Sequence, residues 1–214
     1  MATNNVSSFL QVIGQGVKPN MFNVDIQFPA GFNDATINDL AGGELASEGA
    51  GANAGKELTS ILCKSAALPG SNLGVIEVPF RGRTVKIAGD RTFDTWTATF
   101  FNDKDFKLRS FFEEWANSIN THEENTSQLF TPNNSTGYTA DLGVKQLEKD
   151  SSATGSVLRE YLLKYCFPTN VSQIDLAYDS NDQIEEFSVE FQYSYFTAGA
   201  GNDSRAGVSA IPVV

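Results

Sequence analysis

The sequence has few of the side chains on which catalysis and metal binding most often depend. It contains one histidine and two cysteines among 214 residues. Cys63 and Cys166 lie far apart and form no CxxC or other metal-ligand pattern, so buried free thiols are the simplest interpretation. His122 stands in the polar run NTHEEN, where a solvated loop residue is more common than a metal ligand. The sequence shows no nucleophile elbow, zinc motif or phosphate loop, and we therefore expect neither an enzyme nor a cofactor.

Basic residues and long apolar runs are also scarce. Fifteen Lys and Arg stand against 26 Asp and Glu, which gives a formal net charge of -11. Such an acidic protein is not expected to grip nucleic acid, because affinity for phosphates depends on Lys and Arg. No run approaches the roughly 18 apolar residues of a membrane helix, and the first residues lack the pattern of a signal peptide. We expect a protein that has no membrane anchor and is made in a cytoplasm.

Strand-like alternation, by contrast, is abundant. Residues 21–28 (MFNVDIQF) alternate apolar with polar, and the same pattern runs from Phe187 to Tyr195. Other strand-like runs cover 58–70, 74–90, 92–102, 138–149 and 157–170. We interpret 138–149 as solvent-facing, 157–170 as closed by Pro168, and 173–196 as a hairpin that turns at 179–182. Seven or eight mostly antiparallel strands predict a β-barrel or sandwich.

One segment has clear helical periodicity. Within 105–120, apolar residues recur at intervals of three and four, which predicts an amphipathic helix that packs on the sheet. Its expected core face consists of Leu108, Phe111, Phe112, Trp115 and Ile119. Asp103 or Asp105 can cap the helix start, where a carboxylate also suits the helix dipole.

The whole chain, 1–214, is expected to form a single domain with two irregular segments. Residues 29–57 are rich in Gly, Ala and Asn and show little periodicity, which favours a flexible surface insertion. Residues 197–214 have little hydrophobic pattern and are expected to form an extended C-terminal tail.

Four acidic residues around the strand at 92–102 form the best candidate carboxylate cluster. They are Asp90, Asp94, Asp103 and Asp105. The run NDKD resembles the opening of a calcium loop but lacks the Gly and the distant Glu that complete one. Turn and capping roles explain these residues more simply than a metal or catalytic site.

Four segments share a pattern known from one protein family. They are KPNMFNVDI (18–26), CKSAALPG (63–70), VPFRGRTVKIAGDRTFDTWTATFFND (78–103) and FPTNVSQIDLAYDSNDQIEEFSVEFQYSY (167–195). They resemble the tail tube protein of contractile-tailed, myovirus-type bacteriophages, and AGDRTFDTWT followed by the amphipathic helix is the most specific part. The resemblance runs from about Val17 to Tyr195, and the insertion and the tail depart from it.

The resemblance implies a β-barrel or sandwich with one flanking helix. It also implies a structural virion protein that stacks as homohexameric rings into the hollow inner tail tube, through which double-stranded DNA is ejected into the host. The implied partners are other copies of the chain, the tail sheath protein, and the baseplate and tail terminator proteins. The implied location is the virion tail, after assembly in the host cytoplasm. A tube protein of type VI secretion or of a phage-like bacteriocin is the first alternative, and a glycan-binding β-sandwich is the second.

Two strands have polar faces that suit such a lumen. We expect the lining to include Thr95, Thr97, Thr99, Ser188, Glu190 and Gln192. A basic wall would hold DNA at every step, whereas a polar and mildly acidic wall lets it slide without specific binding. The expected contact to the next ring is the hairpin tip at Phe80, Arg81, Gly82 and Arg83.

Overall fold

The computed structural model describes residues 5–14, 16–27, 29, 59–127, 131–132, 137–148, 157–181 and 183–200. In chain order, its elements are α1 (Val6–Ile13), β1 (Phe22–Ile26), β2 (Cys63–Ala66), β3 (Asn72–Phe80), β4 (Arg83–Thr92), β5 (Trp96–Phe101), α2 (Lys107–Ile119), β6 (Ala140–Leu147), β7 (Val157–Val171), β8 (Glu186–Gln192) and β9 (Tyr195–Ala200). Residues 59–62, just before β2, are also helical.

The long strand β7 joins two groups of antiparallel strands. Its first half pairs with β6 and β9, and β6 pairs in turn with β1. Its second half pairs with β8, which is followed across the sheet by β5 and β2. Between the halves lies Tyr165 at φ 57°, a conformation that a bulky residue seldom adopts in a regular strand. The prediction of an antiparallel β-sandwich with one flanking helix is confirmed.

A single hydrophobic core takes side chains from both groups of strands and from α2. The rings of Phe100 and Phe191 lie 5.4 and 5.8 Å from the ring of Phe112, measured between centroids. Leu108, Phe111 and Trp115 are buried with Phe112, and Ile119 packs against the same cluster. The helix therefore covers the core-facing side of β5 and β8 and leaves their other side free.

Asp103 caps α2 from a position before the helix begins. Its carboxylate oxygens accept from the backbone N–H groups of Lys107 and Leu108, at 3.3 and 3.5 Å. The N-cap residue itself, Phe106, has φ 55° and forms no side-chain cap. Asp105 instead forms an ion pair with Lys107 at 3.5 Å. Of the two capping candidates, the structure thus assigns the role to Asp103.

Four local interpretations of strands were wrong. Within the expected strand 58–70, residues 59–62 are helical and only Cys63–Ala66 form a strand. Residues 138–149 are not solvent-facing, because β6 lies between β1 and β7 and buries Leu142 and Val144. Pro168 does not end its strand, because β7 continues to Val171 through a register shift where the missing Pro N–H is less costly. Residues 172–177 form no strand, so β8 has no hairpin partner there and pairs instead with β7 and β5.

β9 also reaches four residues into the segment that the sequence predicts as a tail. Residues 195–200 pair with β7 along its first half. The rest of that segment, 201–214, and residues 30–57 of the expected insertion lie outside the described residues.

Candidate assembly surfaces

The structure brings five of the six expected lumen residues onto one side of the sheet. The register places Thr97 opposite Glu190 and Thr99 opposite Ser188, and Gln192 continues the row along β8. This side is opposite the one that buries Trp96, Ala98 and Phe100, because side chains alternate along a strand. We call it the polar face: Thr97, Thr99, Ser188, Glu190 and Gln192. Thr95 is exposed but precedes β5.

The polar face carries little charge, and part of that charge is neutralised. Glu186, at the end of β8, forms an ion pair with Lys64 beside β5. The Glu190 carboxylate has no ion-pair partner within the described residues. The five residues of the polar face therefore offer hydroxyl and amide groups with one unpaired carboxylate, and the row ends at the half-buried Phe101 opposite Glu186.

The outer side of the other group of strands has a different chemistry. Lys145 of β6 pairs with Asp25 and lies 3.7 Å from Glu160, and Lys164 pairs with Asp141. The hydrogen bond to Asp25 raises the pKa of Lys145 above its usual value. We call this side the ion-pair face. Sequence reasoning missed it, although the alternation of Asp141, Gly143 and Lys145 in one strand was a visible signal.

The expected inter-ring tip lies at the end of a hairpin that stands apart from the main sheet. Among the strands that the structure describes, β3 and β4 pair only with each other. Arg81 and Gly82 form the turn with φ of 46° and 81°, as a two-residue type I′ turn requires. The tip residues Phe80, Arg81, Gly82 and Arg83 are all exposed.

One side of this hairpin is apolar and uncovered. The register pairs Ile76 with Ile87 and Val78 with Val85, and Phe80 continues the row to the tip. All five side chains are exposed. The opposite side carries an ion pair between Glu77 and Lys86. Because a lone two-stranded hairpin is marginally stable in water, this apolar side is suited to contact another surface.

A second uncovered apolar surface, which sequence reasoning missed, is the stripe on α1. Asn5 caps this helix by accepting from the Ser8 backbone N–H at 2.8 Å, and Gly14 ends it at φ 54°. The stripe is Val6, Phe9, Leu10 and Ile13, all exposed. The signal was present in the sequence as apolar residues at i, i+3, i+4 and i+7.

The four acidic candidates do not form a cluster. Asp94 accepts from the side chain of Asn72 at 2.7 Å, and Asp103 and Asp105 serve the start of α2. His122 is exposed in a loop, and its backbone N–H donates to Asn117. Among the described residues, no group of three or more His, Cys, Asp and Glu could hold a metal ion.

Both cysteines are free thiols with raised pKa values. Burial raises the pKa of Cys63 to about 11, and it raises that of the fully buried Cys166 further. Neither thiol is therefore a ready nucleophile near neutral pH. No helix in the described part of the chain is both long and apolar enough to cross a membrane.

A β-sandwich with one buried helix, a polar outer face and two uncovered apolar surfaces defines a class of protein suited to assembly. A family model described as phage tail tube protein matches residues 17–198. The chain belongs to this family, which confirms the resemblance seen in the sequence.

Relatives and solved structures agree with this placement. The chain is 35% identical over 134 residues to tail tube protein gp19 of Enterobacteria phage T4, covering 63% of this chain and 78% of that protein. It is 27% identical over 133 residues to the tail tube protein of Serratia phage KSP90, covering 62% and 71%. A chain in the PVC sheath-tube complex of an extracellular contractile injection system superposes with a TM-score of 0.53 at 14% identity, covering 92% and 99%. That likeness shows the fold alone.

Proposed function

We propose that this protein stacks as hexameric rings into the hollow inner tube of a contractile phage tail, and that double-stranded DNA passes through its lumen. Its role is structural, without catalysis or a cofactor. One observation supports the proposal above all: a continuous polar face lies back to back with a packed core. Antiparallel sheets often have one solvated face, and here the family match and the exposed apolar surfaces favour its use as the wall of a tube.

The polar face is the candidate lumen wall. Double-stranded DNA carries one negative charge per about 1.7 Å of its axis, so lysines along a tube would bind it at every step. Lys64 borders the face but is paired with Glu186. Thr97, Thr99 and Ser188 offer only hydroxyl groups, and Glu190 adds weak repulsion that acts within about 8–10 Å at physiological salt. Thr95, at the edge of the face, completes the set of six.

The hairpin tip is the candidate contact between rings. Stacking requires two different surfaces that meet head to tail, because such a contact repeats without closing. The exposed tip with Arg81 and Arg83 can meet acidic groups of the next ring. Replacing both arginines by glutamate should prevent stacking, and normal tubes from that variant would show that the tip is not the contact.

A charge-reversal experiment tests the wall. The variants Glu190→Lys and Glu160→Lys carry the same change on the polar face and the ion-pair face respectively. If tubes form and the polar face lines the bore, Glu190→Lys reduces DNA delivery per particle while Glu160→Lys does not. The opposite result would assign the bore to the ion-pair face. Delivery that equals that of the wild type in both variants would show that neither face lines the bore.

The remaining partners follow from the same proposal. The outside of the tube contacts the tail sheath protein, and its ends meet baseplate and terminator proteins. The location is the virion tail, after assembly in the host cytoplasm. The 35% identity to a T4 protein favours a phage tail over a related injection machine. Purified particles that contain this chain should therefore carry a DNA-filled head, and headless contractile particles would favour the alternative.

A further inference from the structure

A cleft lies beside the C-terminal end of α1. Its volume is about 280 Å³, and its apolar lining comes from Ile13, Val17, Leu147 and Leu158. Ile13, Val17 and Leu158 are exposed, so this lining is open to solvent. The chain turns here through Gly14 and Gly16, at φ 54° and 65°, which are conformations that favour glycine. Lys18 and Glu148 lie at the same cleft and bring one charge of each sign.

The hairpin tip presents an exposed aromatic side chain together with two positive charges. Phe80 is 62% exposed at the end of β3 and forms the outermost apolar side chain of the hairpin. The guanidinium of Arg81 lies 5.5 Å from the centroid of its ring, and Arg83 is its register partner. The tip therefore presents one aromatic ring between two cations.

We infer that Phe80 of one copy inserts into this cleft of a second copy, where Arg81 or Arg83 meets Glu148. The inference rests on the proposed function as a self-assembling tube subunit, and it names the surface that the hairpin reaches. An apolar cleft large enough for one aromatic side chain, with a carboxylate at hand, suits a ring flanked by cations. Because the cleft carries one charge of each sign, the attraction requires an arginine of the tip to lie nearer to Glu148 than to Lys18.

The hairpin tip and the cleft lie at different places on one chain. The cleft is at the start of β7, beside Leu158. The base of the hairpin lies near the end of β8, because the Tyr193 hydroxyl donates to the Gly70 carbonyl. The last residue of β8, Gln192, pairs with Phe167 of β7. From residue 158 to residue 167, β7 spans roughly 30 Å at about 3.3 Å per residue. Both surfaces remain exposed in the single chain, so a head-to-tail contact leaves a free tip and a free cleft that can bind further copies.

Polymerisation of the full chain tests the contact. Sedimentation and negative-stain microscopy over a concentration series give the critical concentration for the wild type, Phe80→Ser and Leu158→Ser. Each variant should raise it about tenfold to a hundredfold, the factor expected for losing one buried large apolar side chain. Tyr178→Ser is the matched control, because Tyr178 is fully exposed in the irregular run 172–181 and lies outside both surfaces. An unchanged circular dichroism spectrum establishes that each variant is folded.

A charge exchange gives a second, independent readout. Arg81→Glu with Arg83→Glu should raise the critical concentration, and adding Glu148→Arg should restore it at least in part. Polymers of Phe80→Ser that form like the wild type would overturn this contact alone. A wild type that stays monomeric at every concentration would overturn the proposed function and the contact with it.

A cysteine pair identifies the occupant of the cleft. Phe80→Cys with Leu158→Cys should give ladders of disulfide-linked copies on a non-reducing gel after mild oxidation. The native thiols give little background, since burial raises the pKa of both. A crosslink confined within single chains, or no crosslink in assembled polymers, would show that the cleft does not receive the hairpin of another copy.

Discussion

The two amphipathic helices have the same kind of sequence pattern and opposite surroundings. In α2, Phe112 and Trp115 have no exposed surface, whereas in α1, Phe9 and Leu10 are 60% and 58% exposed. Both helices begin with a side-chain cap, from Asp103 and from Asn5. The difference therefore lies in what each helix meets and not in how it forms. An apolar stripe makes a helix face suited to a partner surface, but it does not show on which molecule that surface would lie.

Chain connectivity explains which helix is buried. α2 follows β5 after a short turn, so its stripe remains close to the strands that form the core. α1 instead lies before a glycine-containing turn and reaches only the β6–β7 end of the sheet. The exposed hairpin side of Ile76, Val78 and Phe80 belongs with α1 in this respect. Together they are the surfaces that remain exposed among the described residues.

The largest expected effect comes from a substitution in α2, the buried helix. Trp115→Ala should lower the free energy of unfolding by about 3–5 kcal/mol, because it leaves a cavity in the core. It also removes the hydrogen bond of 2.7 Å that the indole N–H donates to the Tyr138 carbonyl. Urea unfolding of the dilute, unassembled protein measures the change. A loss below about 1 kcal/mol would mean that α2 does not pack as described.

The matched change in α1 should act on assembly and not on folding. Phe9→Ala, like Trp115→Ala, removes an aromatic side chain, but Phe9 is exposed. The free energy of unfolding of the dilute protein should therefore change by no more than about 0.5 kcal/mol. If a neighbouring copy covers the stripe, the same variant raises the critical concentration for polymerisation about tenfold. Unchanged polymerisation together with unchanged stability would show that Phe9 is simply solvated. A clear loss of stability would place α1 within the fold of the single chain.

Much of the architecture follows from sequence periodicity, and the errors have a physical cause. Alternation identified β1, β5 and β8, and the period of 3.6 identified α2, because one side of each is buried within the chain. The interpretation of β6 failed because Asp141 and Lys145 suggest solvent, yet their charges are paired on the ion-pair face. Periodicity shows which residues share one side of a helix or strand. It does not show ion pairs, because these form between neighbouring strands that are distant in sequence.

The candidate surfaces were predictable to different degrees for the same reason. Thr97 and Glu190 each showed a polar side in their own strand, but only the register of β5 with β8 places them opposite each other. The hairpin tip was visible from the run FRGR, since Gly82 marks the turn. The apolar side of the hairpin depends on the pairing of β3 with β4, and the cleft beside α1 depends on contacts between segments that are distant in sequence. The pattern of a single strand does not reveal either one.

The smallest expected effect concerns alkaline pH and again separates the two regions. The packed region contains Cys166, whose pKa burial raises from the ordinary value of 9.0, whereas the α1 segment VSSFLQVI has no acidic or basic side chain. An acid whose native pKa is raised keeps its proton in the fold and loses it on unfolding. Its contribution is therefore complete below the unfolded pKa and is lost as pH rises above it.

Between pH 8 and pH 9.5 this thiol should lower the free energy of unfolding by about 0.8 kcal/mol. Cys166→Ala removes that part of the pH dependence whatever its effect on stability at pH 8, because the readout is a slope. Urea unfolding of both proteins at the two pH values measures it. Equal slopes for the two proteins would show that Cys166 ionises alike in the folded and unfolded states. That result would mean that water reaches this thiol in the folded protein, contrary to its burial.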